Sequence, residues 1–522
     1  MPRTHLLSHL RTLVARFRNG SSVGLPPAAV LDRTRSSRLP SRRDVLKGAG
    51  AGAMALAVPD RRWRRPPARV AVVGGGLPGL VAATPLRGRG IVPGVFEAGS
   101  RLGGRVFTNR TTFAASGQFV EHGGELIDSG HKNLRKLVRQ LGLEVDDLIA
   151  AEPAGTQAIG WFGNARYTFA DAEDDFTALY HALHQDLVHA GYPATYDSYS
   201  PLAEALDAMS IDAWIALRVP GGLASPLGQL LSVAYDIEFG APSNDQSALN
   251  LLYLLGYGCT PNNFEIFGAS DERYRVRGGN DQVPALLAAQ LAGQIRLGHR
   301  LTAAATTIDD RTRLSFDTAG GAVEETYDRV VMTVPFAVLR AAVDLQQLTL
   351  SPKKRIAIHQ MGMGTNAKLH VQFSDRHWYQ LGCNGVVYGD TGFQNTWEET
   401  RAQAGAAGIL DNYLGSNGPS LAGKTPQTAA ADFLTSFEPA LPGISAKFTG
   451  NASIDYWPGS PNQRGSYSYW RVGQYVGFAG VEKEIEGSVH FAGEHTSIDF
   501  QGYMEGAVES GMRAAAEVVA AL

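Results

Sequence analysis

Three glycines and a glutamate near the front of the chain have the types and spacing to bind a phosphate-linked nucleotide. Gly74, Gly76 and Gly79 follow an apolar β-branched run, Val70, Val72 and Val73, at GxGxxG spacing. In such a turn Gly74 allows the reversal, Gly76 lets a pyrophosphate reach the backbone, and Gly79 lets the following helix lie close on the strand. That helix opens at Leu77 and Pro78, and its free N–H groups and positive dipole end would face the phosphates. A second apolar run, Val92 to Phe96, ends in Glu97 and Ala98, where an acidic side chain about twenty residues on can accept from both ribose hydroxyls. Glycine-rich turns are common, and the glycines alone fit any strand-turn-helix. Glu97 followed by Arg101, Leu102, Gly103, Gly104 and Arg105 makes nucleotide binding the stronger reading.

Other polar residues stand where elements would aim them. Lys368 lies in GTNAKLHVQF; on a strand its side chain shares a face with Asn366 and His370, while Leu369 and Val371 point the other way. A solvated lysine on a strand edge is the plainer alternative for that spacing. Near the end, Phe491 to Glu494 reads as a strand end, and Gly502, Tyr503, Met504, Glu505 and Gly506 open a helix. Such an N-terminus stabilises negative charge developing beside it. Gly123 and Gly124, in EHGGELI, let a backbone lie against a flat ring.

The elements between are coarser. From Lys132 to about Leu255 apolar residues recur at three and four spacing, as in Leu134, Leu137, Val138 and Leu141, which predicts helices. Tyr274 to Leu291 passes through a Gly-Gly turn into a helix, and Val330 to Pro335 predicts a strand and turn returning to the nucleotide domain. Pro85 falls inside the first helix and should kink or shorten it.

Together the segments Ala68–Val106 and Phe491–Ala514 resemble the flavin-dependent amine oxidase family. The resemblance implies an α/β fold of mixed character, with an FAD domain of two-dinucleotide-binding type interleaved with a substrate domain of mixed sheet and helices. The FAD domain would take residues 66–130, 272–345 and 480–522, and the substrate domain 131–271 and 346–479. It implies that Arg101, Gly104 and Arg105 hold pyrophosphate and ribityl, that Gly123, Gly124 and Glu125 run beside the isoalloxazine, and that Trp457 packs near the flavin. Glu494 would bond ribityl hydroxyls, with Tyr503 and Met504 starting the helix at the pyrimidine end. Lys368 would hold a water to the flavin N(5) atom and shape reoxidation by dioxygen, and Tyr467 and Tyr503 would wall an aromatic cage whose π faces favour an amine nitrogen. Relatives that bond the flavin covalently use a cysteine where this chain has Ser466, so FAD is expected to be non-covalent. The reaction implied is hydride transfer from the α-carbon of an amine to the flavin, giving an imine and then an aldehyde, ammonia and hydrogen peroxide.

Substrate class rests on fewer residues. L-Amino acid oxidases of the same superfamily clamp the substrate carboxylate with an arginine just after the glycine pair. This chain has Glu125 and Leu126 there, which favours a primary amine or polyamine, with Arg275 or Arg277 left as alternative clamps. An L-amino acid oxidase, a desaturase-like flavoenzyme and a flavin-binding protein without turnover remain open.

Composition sets the remaining bounds. The 522 residues are 44% hydrophobic and 19% charged, with a formal charge of −3, which fits a globular chain with more than one core and offers nothing for nucleic acid. No apolar run reaches the length of a membrane span, so no insertion of the mature chain is expected. Ser41–Lys47 reads SRRDVLK before a weakly apolar stretch, Gly48–Val58. This resembles a twin-arginine export signal, cleaved after Ala57 within a 1–57 leader, with the translocase as partner and a periplasmic or secreted product; a basic tail is the alternative. The only cysteines, Cys259 and Cys383, lie in no ligand-like spacing, so no metal site is expected and two buried thiols are favoured over a bridge. A homodimer is compatible with this reading.

Overall fold

The computed structural model describes residues 67–522; the leader, its twin-arginine motif and its cleavage point lie outside the described residues. Val70–Val73 is buried on both faces and forms the centre of a five-stranded parallel sheet. The strands run in the order Val489–Phe491, Arg329–Met332, Val70–Val73, Gly94–Phe96 and Ile295–Arg296, with Val72 opposite Val331 and Val331 opposite His490. One sheet is thus assembled from segments spread over almost the whole chain, as continuous β-branched runs require when helices cover both faces. The second strand begins at Gly94, not Val92. Pro93 offers no N–H to a ladder, and Val92 is exposed.

The helix Leu77–Gly88 persists through Pro85, which lies exposed in its last turn. There the missing N–H strands only the carbonyl of Val81. This helix packs on the C-terminal helix Met504–Ala521. Gly511 permits the approach, since a Cβ there would meet the Pro78 carbonyl oxygen at 2.5 Å.

A second, seven-stranded sheet runs Phe448–Tyr456, Ala367–Phe373, Gly408–Leu414, Asn395–Glu398, Cys383–Gly389, Gln157–Phe162 and Ala165–Thr168. Its strand Ala367–Phe373 is wholly buried. Leu369, Val371 and Phe373 join an apolar core with Trp378, Phe433 and Phe437, and the opposite face carries Lys368, His370 and Gln372. Helices Phe169–Ala190, Ile211–Arg218, Pro226–Phe239 and Ala248–Leu255 pack around Trp214, Leu230 and Leu252.

The stretch expected to be helical from Lys132 opens with the helix Lys132–Gln140 but then holds strands before the long helix. Gln157–Phe162 and Ala165–Thr168 form a hairpin across Gly163 and Asn164, at φ 55° and 61°, the left-handed pair a tight hairpin turn needs. The long helix starts only at Phe169, where Thr168 and Asp171 form a reciprocal capping box. The helix Lys132–Gln140 buries Leu134 and Val138 in the nucleotide-side core, so the chain leaves that layer later than residue 130. Cys259 and Cys383 are both free and buried, and burial pushes each thiol up to about 11. Among the described residues no helix is long and apolar enough to cross a membrane.

Candidate active site

The glycine turn is tight on every side but one. Gly74 sits at φ 113°, and a Cβ there would lie 2.2 Å from Thr333 Oγ1; one on Gly79 would lie 2.0 Å from the Gly74 carbonyl oxygen. At Gly76 a Cβ would meet nothing closer than Pro78 Cδ at 3.6 Å. Gly76 also caps the helix with no side-chain hydrogen bond, so the first N–H groups of Leu77–Gly88 face an open cradle, the arrangement that receives phosphate. Glu97 closes the far side, accepting from the Gly75 N–H at 2.8 Å and the Gly99 N–H at 2.7 Å, with Ala98 in the bend beyond. Arg101 donates to the Gly104 carbonyl at 2.7 Å and lies over the Phe107 ring.

Next to this end the chain brings together four distant segments. A Cβ on Gly123 would lie 3.0 Å from Trp457, and one on Gly124 would lie 3.0 Å from Met504. Trp457 Nε1 donates to the His122 carbonyl at 2.9 Å. Arg105 pairs with Glu494 at 3.0 Å, and Glu494 accepts from Ser468 Oγ at 2.7 Å and from the Gly502 N–H at 3.1 Å. Glu494 is therefore occupied in tying Arg105 to the start of the C-terminal helix, and Arg105 and its hydrogen bonds hold it below the usual carboxylate range against the cost of burial.

Lys368 is buried against three carboxylates. Its Nζ lies 2.8 Å from Glu125, 3.0 Å from Glu399 and 3.3 Å from Asp411, over the Trp397 ring. Burial opposes the charge, yet Glu125, Glu399 and Asp411 outweigh it and hold the ammonium well above its ordinary value. Arg275 adds a second cation, 3.5 Å from both Glu125 and Glu399. Glu125 is thus paired within the protein, not open to an incoming cation as its place in the sequence implied. Burial and Glu399 still raise it to about 7, and burial holds Asp411 well above its normal range. His370, Glu399 and Asp411 present ligand atoms within 4.8 Å of one another, but the Lys368 ammonium already supplies the cation to this group.

Tyr467 and Tyr503 stand together, for a Cβ on Gly502 would lie 3.4 Å from the Tyr467 ring. Tyr467 OH is 2.9 Å from Tyr413 OH, and Tyr413 lies opposite Lys368 in the sheet. Tyr503 OH donates to Glu238 at 2.9 Å. Leu126, next to Glu125, is half-buried. Glu238, Glu272, Tyr413, Glu399 and Asp411 were not foreseen. Burial raises Glu238 to about 7. Burial and the carboxylates of Glu238 and Asp128 hold Glu272 well above the normal range. Glu272 is also one of the few non-glycine residues at positive φ, 45°, with its N–H held by Asp128 at 3.0 Å, a strained backbone of the kind found at functional sites.

One neighbour gives a stability test. His495 is buried, neither ring nitrogen has a hydrogen-bond partner, and Phe336 packs edge-on at 4.6 Å. Burial pushes its pKa down to about 4. The unfolded chain binds a proton that the folded chain refuses, so this contribution is lost as pH falls from the ordinary histidine value toward 4. His495→Leu is expected to gain about 2–3 kcal/mol over wild type near pH 4.5 and little near neutrality, by urea unfolding. An equal difference at both pH values would disprove the assignment.

A parallel nucleotide sheet with an open phosphate cradle, together with a sheet face carrying a buried lysine and two half-buried tyrosines, Tyr467 and Tyr503, brought in from the C-terminal segments, defines a dinucleotide-dependent oxidoreductase. Residues 77–519 match the flavin-containing amine oxidoreductases, and the chain belongs to that family. It is 25% identical over 475 residues to a flavin-containing amine oxidase of Danio rerio, covering 87% of this chain and 86% of the relative. It is 27% identical over 478 residues to the flavin-dependent L-tryptophan oxidase of Lentzea aerocolonigenes, covering 85% and 97%. The fold superposes on cyclohexylamine oxidase from Brevibacterium oxydans IH-35A with TM-score 0.74 and 21% identity, covering 87% and 99%. The protein is an FAD-dependent amine oxidoreductase, and the cradle at Gly76, Glu97 and the Gly123–Gly124 backbone fit that cofactor. Ser466 offers no thiol for a covalent link, its hydroxyl being given to Asn366, and FAD is held non-covalently. Residues 40–59 match a twin-arginine translocation signal, so the chain is exported by that route.

Proposed function

We propose that the enzyme oxidises primary amines or polyamines rather than L-amino acids, giving an imine that hydrolyses to an aldehyde and ammonia, with dioxygen ending as hydrogen peroxide. Bound FAD supplies the two-electron acceptor. Tyr467 and Tyr503 would hold the amine nitrogen between their faces, and Lys368 would position a water at the reacting edge of the site.

The observation that carries the choice of substrate is the charge around Tyr503. Its hydroxyl ends on Glu238, with Glu272 in the same neighbourhood; burial holds both carboxyls up, and an arriving ammonium would draw Glu238 into its charged form while a substrate carboxylate would find no cation there. The two arginines that could have clamped an amino acid are engaged elsewhere. Arg275 donates to the Glu399 carbonyl at 2.6 Å and the Arg401 carbonyl at 3.2 Å. Arg277 is exposed and paired with Glu144 and Asp146. The role first given to Glu125 passes to Glu238.

Peroxide release against monoamines, diamines, polyamines and L-amino acids tests this. Amines should give peroxide and amino acids none. Glu238→Gln should raise KM for the best amine by about tenfold, the loss of one charge-assisted contact of roughly 1.4 kcal/mol, with a smaller change in kcat. Peroxide from amino acids alone would overturn the proposal.

A further inference from the structure

Lys368 is joined to the edge of the protein by a row of proton-carrying groups that substrate binding leaves unexplained. Glu399 Oε1 lies 3.0 Å from Lys368 Nζ and also 3.0 Å from His370 Nε2. On the other side of that ring, His370 Nδ1 is 3.3 Å from Ser453 Oγ and 3.6 Å from Asp455 Oδ2. The other Asp455 oxygen meets His122 Nδ1 at 2.5 Å. The row runs outward: Lys368 and His370 are buried, whereas the side chains of Asp455 and His122 are 13% and 18% exposed. Asp455 Oδ2, the oxygen turned to His370, has no hydrogen-bond partner.

A lysine holding three carboxylates together would need neither the imidazole nor this outer carboxylate. The balance of charge gives them a use. Lys368 and Arg275 are two cations set against Glu125, Glu399 and Asp411, with buried Glu121 also beside Arg275 and Glu399, so at least one carboxylate is in surplus and must hold a proton in so dry a place. Asp411, neither of whose oxygens has a hydrogen-bond partner beyond the Lys368 ammonium at 3.3 Å, is held well toward its acid form by burial. The cluster therefore stores a labile proton beside Tyr413, which is bonded to the cage residue Tyr467.

We propose that His370 is the positioning residue of a proton path that carries the proton lost by an incoming ammonium from the Lys368 carboxylates out to Asp455 and His122. The proposal rests on the amine reading above. The substrate N–H bond breaks with its electron pair left on nitrogen, and the proton passes to the carboxylate cluster. From Glu399 a proton reaches His370 Nε2 while the proton on Nδ1 leaves to Asp455, so the ring exchanges tautomers and never gains net charge. That matters because burial and Lys368 push His370 down to about 3, which bars a lasting imidazolium. The charged groups facing the ring are Lys368 on its own strand, Glu399, Asp411 and Asp455 on neighbouring segments, and Glu125 and His122 on the glycine-pair segment.

Two measurements test it. In the FAD-loaded enzyme the rate of anaerobic cofactor bleaching by an amine is followed against pH. His370→Gln keeps a polar side chain of similar reach but cannot exchange tautomers. Its rate should fall at least tenfold where the amine arrives protonated and return toward wild type as pH approaches the amine's own pKa. The same loss at every pH would mean a structural role and overturn the path. Independently of any substrate, histidine-labelled 15N NMR of the wild-type chain should show His370 neutral across neutral pH, with both ring nitrogens at intermediate, averaged shifts. In Asp455→Asn the shifts should split into one fixed tautomer. A single fixed tautomer in wild type would also overturn the proposal. If no amine bleaches the cofactor while the averaged shifts are present, the substrate reading fails and the ammonium as the proton's source fails with it, while tautomer exchange at His370 stands.

Discussion

Lys368→Met is expected to destabilise the folded enzyme by about 3–5 kcal/mol near pH 8, the usual cost of removing one partner of a buried ion cluster. Glu125, Glu399 and Asp411 would then share only Arg275, which lies 3.5 Å from two of them. The loss should shrink in mild acid, and the sign follows from the carboxylates. Glu125 is already raised to about 7 and Asp411 well above its ordinary value, and without the ammonium both rise further. A carboxyl whose folded pKa exceeds its unfolded one stabilises the fold below the unfolded value and loses that contribution as pH climbs through the folded value. Wild type and variant should therefore converge near pH 5 and diverge toward pH 8 in denaturant titrations. Turnover with dioxygen should fall by roughly 10²-fold, the scale of losing one preorganised charge beside a reacting centre. A stability loss under about 1 kcal/mol at both pH values would mean that the carboxylates are solvated and the site is not the dry cluster described.

The nucleotide end was legible in the sequence because its chemistry is local. A turn that needs positive φ at Gly74, free approach at Gly76 and contact at Gly79 leaves no choice of residue, and Glu97 follows at a distance fixed by one helix. The face of Lys368 was legible for a similar reason, since a period of two places His370 beside it and Leu369 against the core. What surrounds Lys368 was not. Glu399 and Asp411 come together through the order of the seven-stranded sheet and Glu125 reaches them from the glycine-pair segment outside it, and no local pattern encodes either arrangement. Glu125 read as open for the same reason: its partner lies 243 residues away. One cue was overlooked, for Asp411 and Tyr413 alternate in GILDNYL as Lys368 and His370 do in AKLHVQF, which marks both strands as polar on one face. The hairpin at Gly163–Asn164 was hidden inside a region whose apolar spacing also fits helices, and only its two left-handed turn residues give it away.

The glycine turn separates a requirement of the fold from a requirement of the cofactor, and the second large effect lies there. Gly79→Ala would place a methyl 2.0 Å from a backbone carbonyl oxygen that cannot swing aside. The helix Leu77–Gly88 would have to lift off Val70–Val73, carrying its N-terminus away from the cradle. The expected result is a loss of about 1–3 kcal/mol from overpacking, with FAD affinity down at least roughly tenfold. At Gly76 the backbone is extended, φ −73°, and a methyl would find its nearest neighbour at 3.6 Å, so the apoprotein should unfold almost as wild type does. The methyl would nevertheless stand in the cradle, and FAD should again bind at least roughly tenfold more weakly. Gly88→Ala, in the exposed last turn where a Cβ meets nothing within 4 Å, should keep full FAD and gain up to about 1 kcal/mol by restricting the unfolded chain. Flavin absorbance per protein and denaturation of the cofactor-free chain read the two effects apart. If Gly76→Ala bound FAD like wild type, the pyrophosphate would not lie against this helix, and the open side of the turn would need another explanation.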